Sequence, residues 1–351
     1  MTTNRTGKER FLELDYLRGL AAVSVILFHY TYGYDNGLRH FEPGRFYFRY
    51  GNLGVQLFFM ISGFVIFMTL ERTKTSMDFL VSRFSRLYPT YWAAILLTIA
   101  FCSLVPAPFD YGHYTLTEVL VNFTMLQHWL KIKDINAAFW TLAVELTFYF
   151  LMWVLFCFKK LRTIEVLSVA WLALSLLHQV VSIPFGNILQ QVFILPFAPM
   201  FVAGVVYYNA WKRGFTPYRI GLLVASYGVE SVILYNTTGS VIPIVVVAVF
   251  FLVFFLLVKG ILVIGPNRVL QFLGCTSYSV YVIHETIGET IIYNIKKVID
   301  SAIVYVPVTM AIVFVAAWLV MVYIEQPAIT LIRNFYKKRK QPAGNPNLAA
   351  R

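Results

Sequence analysis

Charge is what this sequence has least of. Of its 351 residues, 13% are Asp, Glu, Lys or Arg, against about 25% in an ordinary soluble domain. A soluble globule of this length would lack the polar surface to stay in water, so most of the surface must face something else. Acidic residues are scarcer than basic ones, 17 against 29, for a formal net charge of +12. An excess of that size can mark a nucleic-acid binder. Here, however, the basic residues stand singly or in short clusters between apolar runs, which is the membrane pattern and excludes nucleic acid as the partner. Cysteine is nearly absent. Cys102, Cys157 and Cys275 lie within or at the ends of apolar runs, and neither their odd number nor their spacing suits a disulfide framework or a zinc site. They read as small core residues, and no metal is expected. A cleavable signal peptide is not expected either. Residues 1–10 are polar and basic, but the apolar run that follows carries Arg18 and lacks a small-x-small exit.

Long apolar runs are what the chain does have: 59% of its residues are hydrophobic and 17% aromatic. A span needs about 20 predominantly apolar residues. Ten segments qualify, near 15–33, 52–70, 87–105, 139–158, 164–182, 191–209, 220–236, 241–258, 271–292 and 304–324. The third is expected to start just after Tyr88-Pro89, where a proline suits a helix start. With the N-terminus placed in the cytoplasm, 22 of the 29 basic residues fall inside and 7 outside, as the positive-inside rule requires. The expected fold is therefore an all-α integral membrane bundle of about ten transmembrane helices with both termini cytoplasmic. Residues 1–14 form the cytoplasmic N-terminus, 15–336 the membrane domain, and 337–351 a basic, disordered tail touching anionic lipid heads. The larger outer segments, 34–51 and 106–138, are expected to carry specificity.

Ionisable residues inside a membrane are costly, and each is a functional candidate. Arg18 and His29 stand eleven residues apart in the first span. On a helix that spacing puts both on one face, ~16 Å apart along the axis. The bland readings are a snorkelling arginine and a core histidine; neither explains the shared stripe. Arg83 and Arg86 share a face at i, i+3 and, with Arg18, can hold a phosphate in bidentate fashion. Six residues into the fourth span, counted from Phe139, Glu145 should sit roughly 9 Å below the outer surface, level with His29. Ser277, Tyr281 and His284 form one polar stripe on the ninth span, and Glu325 ends the tenth, where it can pair with the inner arginines. Each of these can also be interhelical glue. The expectation is an inner layer of Arg18, Arg83, Arg86 and Glu325, and an outer layer of His29, Glu145, Tyr281 and His284 with Trp140 near its mouth.

At these residues the chain resembles the membrane acyltransferase-3 family, whose members often O-acetylate envelope polysaccharides. The matches are Arg18-x10-His29; Gly54-Val55-Gln56-Leu57-Phe58-Phe59-Met60-Ile61-Ser62-Gly63-Phe64; Arg83-x2-Arg86 with Tyr88-Pro89-Thr90-Tyr91-Trp92; Trp140-x4-Glu145; Ser277-Tyr278 through His284; and Glu325-Gln326-Pro327. They occur in the family's order along almost the whole chain. Gln56 departs from the pattern, since many relatives carry an acid there, and no SGNH esterase-like domain follows. The resemblance implies an O-acetyltransferase of the bacterial inner membrane. Its donor would be cytoplasmic acetyl-CoA or another acyl-CoA, used as a co-substrate and not as a permanently bound cofactor. Its acceptor would be a carbohydrate or glycolipid hydroxyl of O-antigen (lipopolysaccharide), capsule or exopolysaccharide near the outer face. On that reading His29 is the general base, with an acyl-His29 intermediate as a variant. Glu145 orients the ring or the acceptor, Arg18, Arg83 and Arg86 hold CoA phosphates, and Trp140, Ser277, Tyr281, His284 and Glu325 support the substrate. Two other readings stay open: a proton-coupled secondary transporter, and an acyltransferase acting on a non-carbohydrate small molecule.

Overall fold

A computed structural model of the protein describes residues 11–37, 46–109, 111–181 and 185–340. The N-terminus up to residue 10, residues 38–45 of the first outer segment and the tail beyond 340 lie outside the described residues. Within them every regular element is helical, and no strand occurs.

Helix α1 (Leu12–Phe28) passes through a π-helical turn (His29–Gly33) into the short α2 (Tyr34–Gly37). Helices α3 (Gly54–Arg72), α4 (Ser76–Leu104), α5 (Leu116–Phe123), α6 (Phe139–Cys157), α7 (Ile164–Val180) and α8 (Gly186–Val192) follow. The chain continues through α9 (Ala198–Arg213), α10 (Pro217–Thr238), α11 (Ile242–Val258), α12 (Arg268–Lys296) and α13 (Ala302–Val320). A second π turn (Met321–Glu325) leads into α14 (Gln326–Lys340). Ten of these helices match the ten expected segments, but only six stretches are long and apolar enough to cross a membrane by length and composition. Of the other four, α11 is apolar but has 17 residues, whereas α1, α9 and α12 fall short in composition. The shortfall has a physical cause for α9 and α12. Every residue of α9 from Ala198 to Ala210 is buried, as is every residue of α12 from Ser279 to Thr286, so protein and not lipid surrounds them.

Close approach at glycine builds this centre. A Cβ on Gly204 of α9 would run into the Met60 carbonyl of α3, and one on Gly63 into the Phe201 carbonyl of α9. Small residues let membrane helices approach backbone to backbone in this way. Helices α1 and α12 meet likewise, with a Cβ on Gly19 falling 2.7 Å from the Gly274 amide nitrogen.

Two expectations about boundaries change. Helix α4 does not begin at Pro89; Thr75 caps it, accepting from the Asp78 amide while Asp78 bonds back to the Thr75 amide. Pro89 sits inside the helix, at the cost of one backbone bond that neighbouring helices can offset in a membrane. The basic tail also begins inside a helix: α14 holds Lys337–Lys340, with Lys340 Nζ 2.7 Å from Asp78 Oδ1.

The outer segments are not simple loops. Tyr88, Tyr91 and Trp92 of α4 donate to the carbonyls of Thr124 (3.2 Å), Asn122 (2.9 Å) and Phe123 (2.9 Å). Tyr91 stands thirteen residues before the end of α4, or ~20 Å along its axis. Residues 111–138 therefore fold down between the helices. Asn122 satisfies the backbone there, donating to the Glu118 and Lys133 carbonyls and accepting from the Ile135 amide. Segment 185–197 re-enters similarly, with Trp171 donating to the Phe193 carbonyl at 2.7 Å. Each descending segment turns at a residue in the left-handed region, Met125 (φ 63°) and Ile194 (φ 44°), a conformation uncommon for non-glycine residues.

Candidate active site

The descent of residues 111–138 sets the depth of α6. Phe139, its first residue, packs on Tyr91 with ring centroids 4.6 Å apart. The helix thus starts well below the end of α4, and Glu145 lies one layer deeper than a count from the surface places it. It joins the arginines. A cavity of ≈ 70 Å³ is lined by Arg18 from α1, Ser62 from α3, Arg83 and Arg86 from α4, Glu145 and Tyr149 from α6, and Ser277, Tyr278 and Tyr281 from α12. Glu145 Oε1 accepts from Ser62 Oγ at 2.5 Å and from the Tyr149 hydroxyl at 2.6 Å. Arg18 Nη1 lies 3.5 Å from Asp15 Oδ1, and Arg83 stands over the rings of Tyr149 and Phe79 at 5.8 and 5.9 Å. Three guanidinium groups thus share one wall with a single carboxylate, which leaves a cationic cavity suited to an anion.

The outer cluster lies farther along the α1–α12 contact. His29, at the entrance of the π turn, has Nδ1 3.1 Å from Glu285 Oε1. Its ring meets that of His284 edge-on at 5.2 Å. One ligand-type atom from each of His29, His284 and Glu285 lies within 4.8 Å of the others, and no other such trio occurs among the described residues. His284 is fixed by its own helix: its Nδ1 is 2.7 Å from the Tyr281 carbonyl, while the Tyr30 hydroxyl donates to the His284 carbonyl at 2.8 Å. Asn136, where the descending segment ends, donates to the Val282 carbonyl at 3.2 Å. Sited one turn on, Glu289 accepts from Tyr111 at 2.8 Å.

The structure brings Arg18, Arg83 and Arg86 together, and His29 with His284, as expected; Ser277, expected only on a stripe with Tyr281 and His284, lines the arginine cavity. Other residues it places differently. Glu145 belongs with the arginines, and the carboxylate beside His29 is Glu285. Glu325, at the end of the second π turn, accepts from Ser279 Oγ at 2.6 Å and lies within the field of Arg86, so it keeps to the inner layer as expected without a direct ion pair. Trp140 packs on Phe197 at 5.5 Å and does not line the cavity. Tyr281 is bonded to Thr141 at 2.8 Å, lines the cavity, and stands 5.4 Å from the His284 ring, so it forms the partition between the two layers. Sequence reasoning assigns no role to Glu285, Ser62 or Tyr149. Glu285 carries a readable signal, an acid in an apolar span next to a candidate histidine. Tyr149, one helical turn from Glu145, carries a weaker one.

Comparison with known proteins decides what this arrangement belongs to. The profile of a family described as "Acyltransferase domain" matches residues 11–322. The chain belongs to this acyltransferase family. Among relatives, ORF330 of the Acidianus two-tailed virus, named as a candidate acetyltransferase, is 26% identical over 78% of this chain and 82% of its own length. The exopolysaccharide production protein ExoZ of Rhizobium meliloti is 27% identical over 49% of this chain and 54% of its own. YrhL of Bacillus subtilis, named as a candidate peptidoglycan O-acetyltransferase, is 24% identical over 52% of this chain and 31% of its own. The chain thus covers most of the first relative and about half or less of the other two. No solved structure matches. The acyltransferase domain takes in both polar layers, from Arg18 to His284, and stops within the π turn before Glu325.

Proposed function

We propose that this membrane acyltransferase moves a short acyl group, acetyl, from acyl-CoA at its basic end to a hydroxyl of an envelope carbohydrate offered at the opposite end. Its membrane would be the bacterial cytoplasmic membrane, and the acceptor class O-antigen, capsule or exopolysaccharide. The observation that carries this reading is the adjacency of a three-arginine cavity and the His29 cluster, joined through Tyr281, which lines the cavity and stands 5.4 Å from the His284 ring. Arginines suit the phosphates of CoA, and a pantetheine arm can bridge from that wall towards His29. The names of two relatives, candidate acetyltransferase and candidate peptidoglycan O-acetyltransferase, support acetyl as the group transferred.

In the reaction, the acceptor oxygen attacks the thioester carbonyl while neutral His29 removes its proton. As the C–S bond breaks, the imidazolium returns that proton to the departing thiolate, so no net proton is released. The test is His29→Ala, assayed for labelled acetyl transfer from acetyl-CoA to extracted envelope glycan, with protein level and folding verified. Loss of about 10²-fold or more is expected for a missing general base. Turnover within twofold of wild type would remove His29 from the chemistry.

A further inference from the structure

The cluster around His29 holds bare hydrogen-bond acceptors. His284 directs Nδ1 at the Tyr281 carbonyl, 2.7 Å away, so Nδ1 carries the proton and Nε2 the lone pair. That Nε2 is buried and without a hydrogen-bond partner, and so is Oε2 of Glu285. His284 is fully buried and Glu285 is 7% exposed. The other Glu285 oxygen, Oε1, stands 3.1 Å from His29 Nδ1. A carboxylate there holds the His29 proton on Nδ1 and leaves Nε2 as its basic nitrogen. An unpaired buried acceptor is costly, and two within one cluster imply a ligand that donates to both. Acyl transfer already requires one hydroxyl at His29. A second donor must accompany it, and a neighbouring hydroxyl supplies one without adding charge to an apolar site.

We propose that Glu285 and His284 form the acceptor seat, and that the acceptor is a vicinal diol. Glu285 Oε1 is the positioning group for His29. The one proton of the hydroxyl next to the one acylated is shared between His284 Nε2 and Glu285 Oε2 in a three-centre hydrogen bond. The inference rests on the acyl-transfer reading and specifies the acceptor it takes.

The test uses full-length protein in vesicles, labelled acetyl-CoA, and the envelope glycan extracted from cells lacking the gene, supplied over a range of concentrations. His284→Phe removes the acceptor nitrogen and should raise the KM for glycan about 3–10-fold, the effect of one neutral hydrogen bond. The KM for acetyl-CoA should not move. His284→Gln places an amide oxygen near the lost Nε2 and should restore most of the affinity. Glu285→Gln should lower kcat about 10-fold or more and raise the glycan KM, with partial recovery in Glu285→Asp. Structural damage alone would not divide the two KM values or give recovery by the conservative variants. Unchanged glycan KM in both His284→Phe and Glu285→Gln, at normal folding, overturns the seat. So does a stoichiometric divalent cation retained by wild type and lost in these variants, because the three residues would then be its ligands. Wild type that transfers nothing overturns the acyl-transfer reading beneath it. Activity lost in His29→Ala but intact in the Glu285 and His284 variants overturns only the present inference.

Discussion

Replacing Glu145 by Gln separates two roles that the same residue can play. As the partner of His29 it would belong to the chemistry; as the carboxylate that lines the cavity with Arg18, Arg83 and Arg86 it holds the donor site together. The geometry favours the second. Oε1 of Glu145 accepts from Ser62 at 2.5 Å and from Tyr149 at 2.6 Å, and a glutamine oxygen can keep both bonds. What it loses is charge. Hydrogen bonds to a charged group contribute about 1.5–3 kcal/mol against about 0.5–1.5 kcal/mol for neutral pairs, a difference of ~1 kcal/mol per bond. The lost attraction to the guanidinium groups is partly offset because a buried amide is cheaper to desolvate than a carboxylate. A net loss of ~2 kcal/mol follows, which for a chain of 351 residues is a fall in Tm of about 3 °C. Turnover should fall less than tenfold at a temperature where the variant stays folded. The KM for acetyl-CoA should drop, because the cavity becomes more cationic. The assay pairs a thermal melt in detergent with acetyl-transfer kinetics. A kcat reduced a hundredfold with Tm unchanged would refute this argument and return Glu145 to the chemistry.

Gly204→Val should force α3 and α9 apart at the Met60 carbonyl and destabilise the protein by at least the ~1–3 kcal/mol typical of overpacking, seen as lower yield and Tm. Gly221→Val, where an added Cβ meets nothing within 4 Å, is the matched control and should cost less than half as much. Asn122→Ala leaves the carbonyls of Glu118 and Lys133 and the amide of Ile135 without their partner. At about 1–3 kcal/mol per orphaned group, it should cost ~3 kcal/mol or more and open residues 111–138 to protease. Resistance equal to wild type would show that Asn122 does not hold the descending segment.

How much of this is legible in the sequence varies by residue, and the variation has a cause. Arg18, Arg83 and Arg86 meet as expected because local helical spacing and the cost of intramembrane charge are properties of short segments. The depth of Glu145 is not local. It depends on Phe139 packing against Tyr91 and on bonds such as Tyr91 to Asn122, which join positions 31 residues apart. No pattern within 106–138 announces that the segment descends. Glu285 is within reach of sequence reasoning: it neighbours His284 and lies one turn beyond Tyr281, in a stretch that reads as polar.

Span hydropathy also misleads in a definite direction. The stretches that pass a span test by length and composition include α4, α6, α7, α10 and α13, which present large apolar side chains such as Leu96, Phe150, Val166, Val224 and Ile312 to the exterior. Helix α12 falls below it while burying His284, Glu285 and Glu289, and α1 falls below it while carrying Arg18 and His29. A helix surrounded by other helices has no need to be apolar all round, so enclosure by protein weakens the span signal. For a chain like this, an apolar segment that barely qualifies as a span is where buried polar chemistry should be sought first. By that criterion α12 ranks ahead of the lipid-facing helices, and Glu285 comes with it.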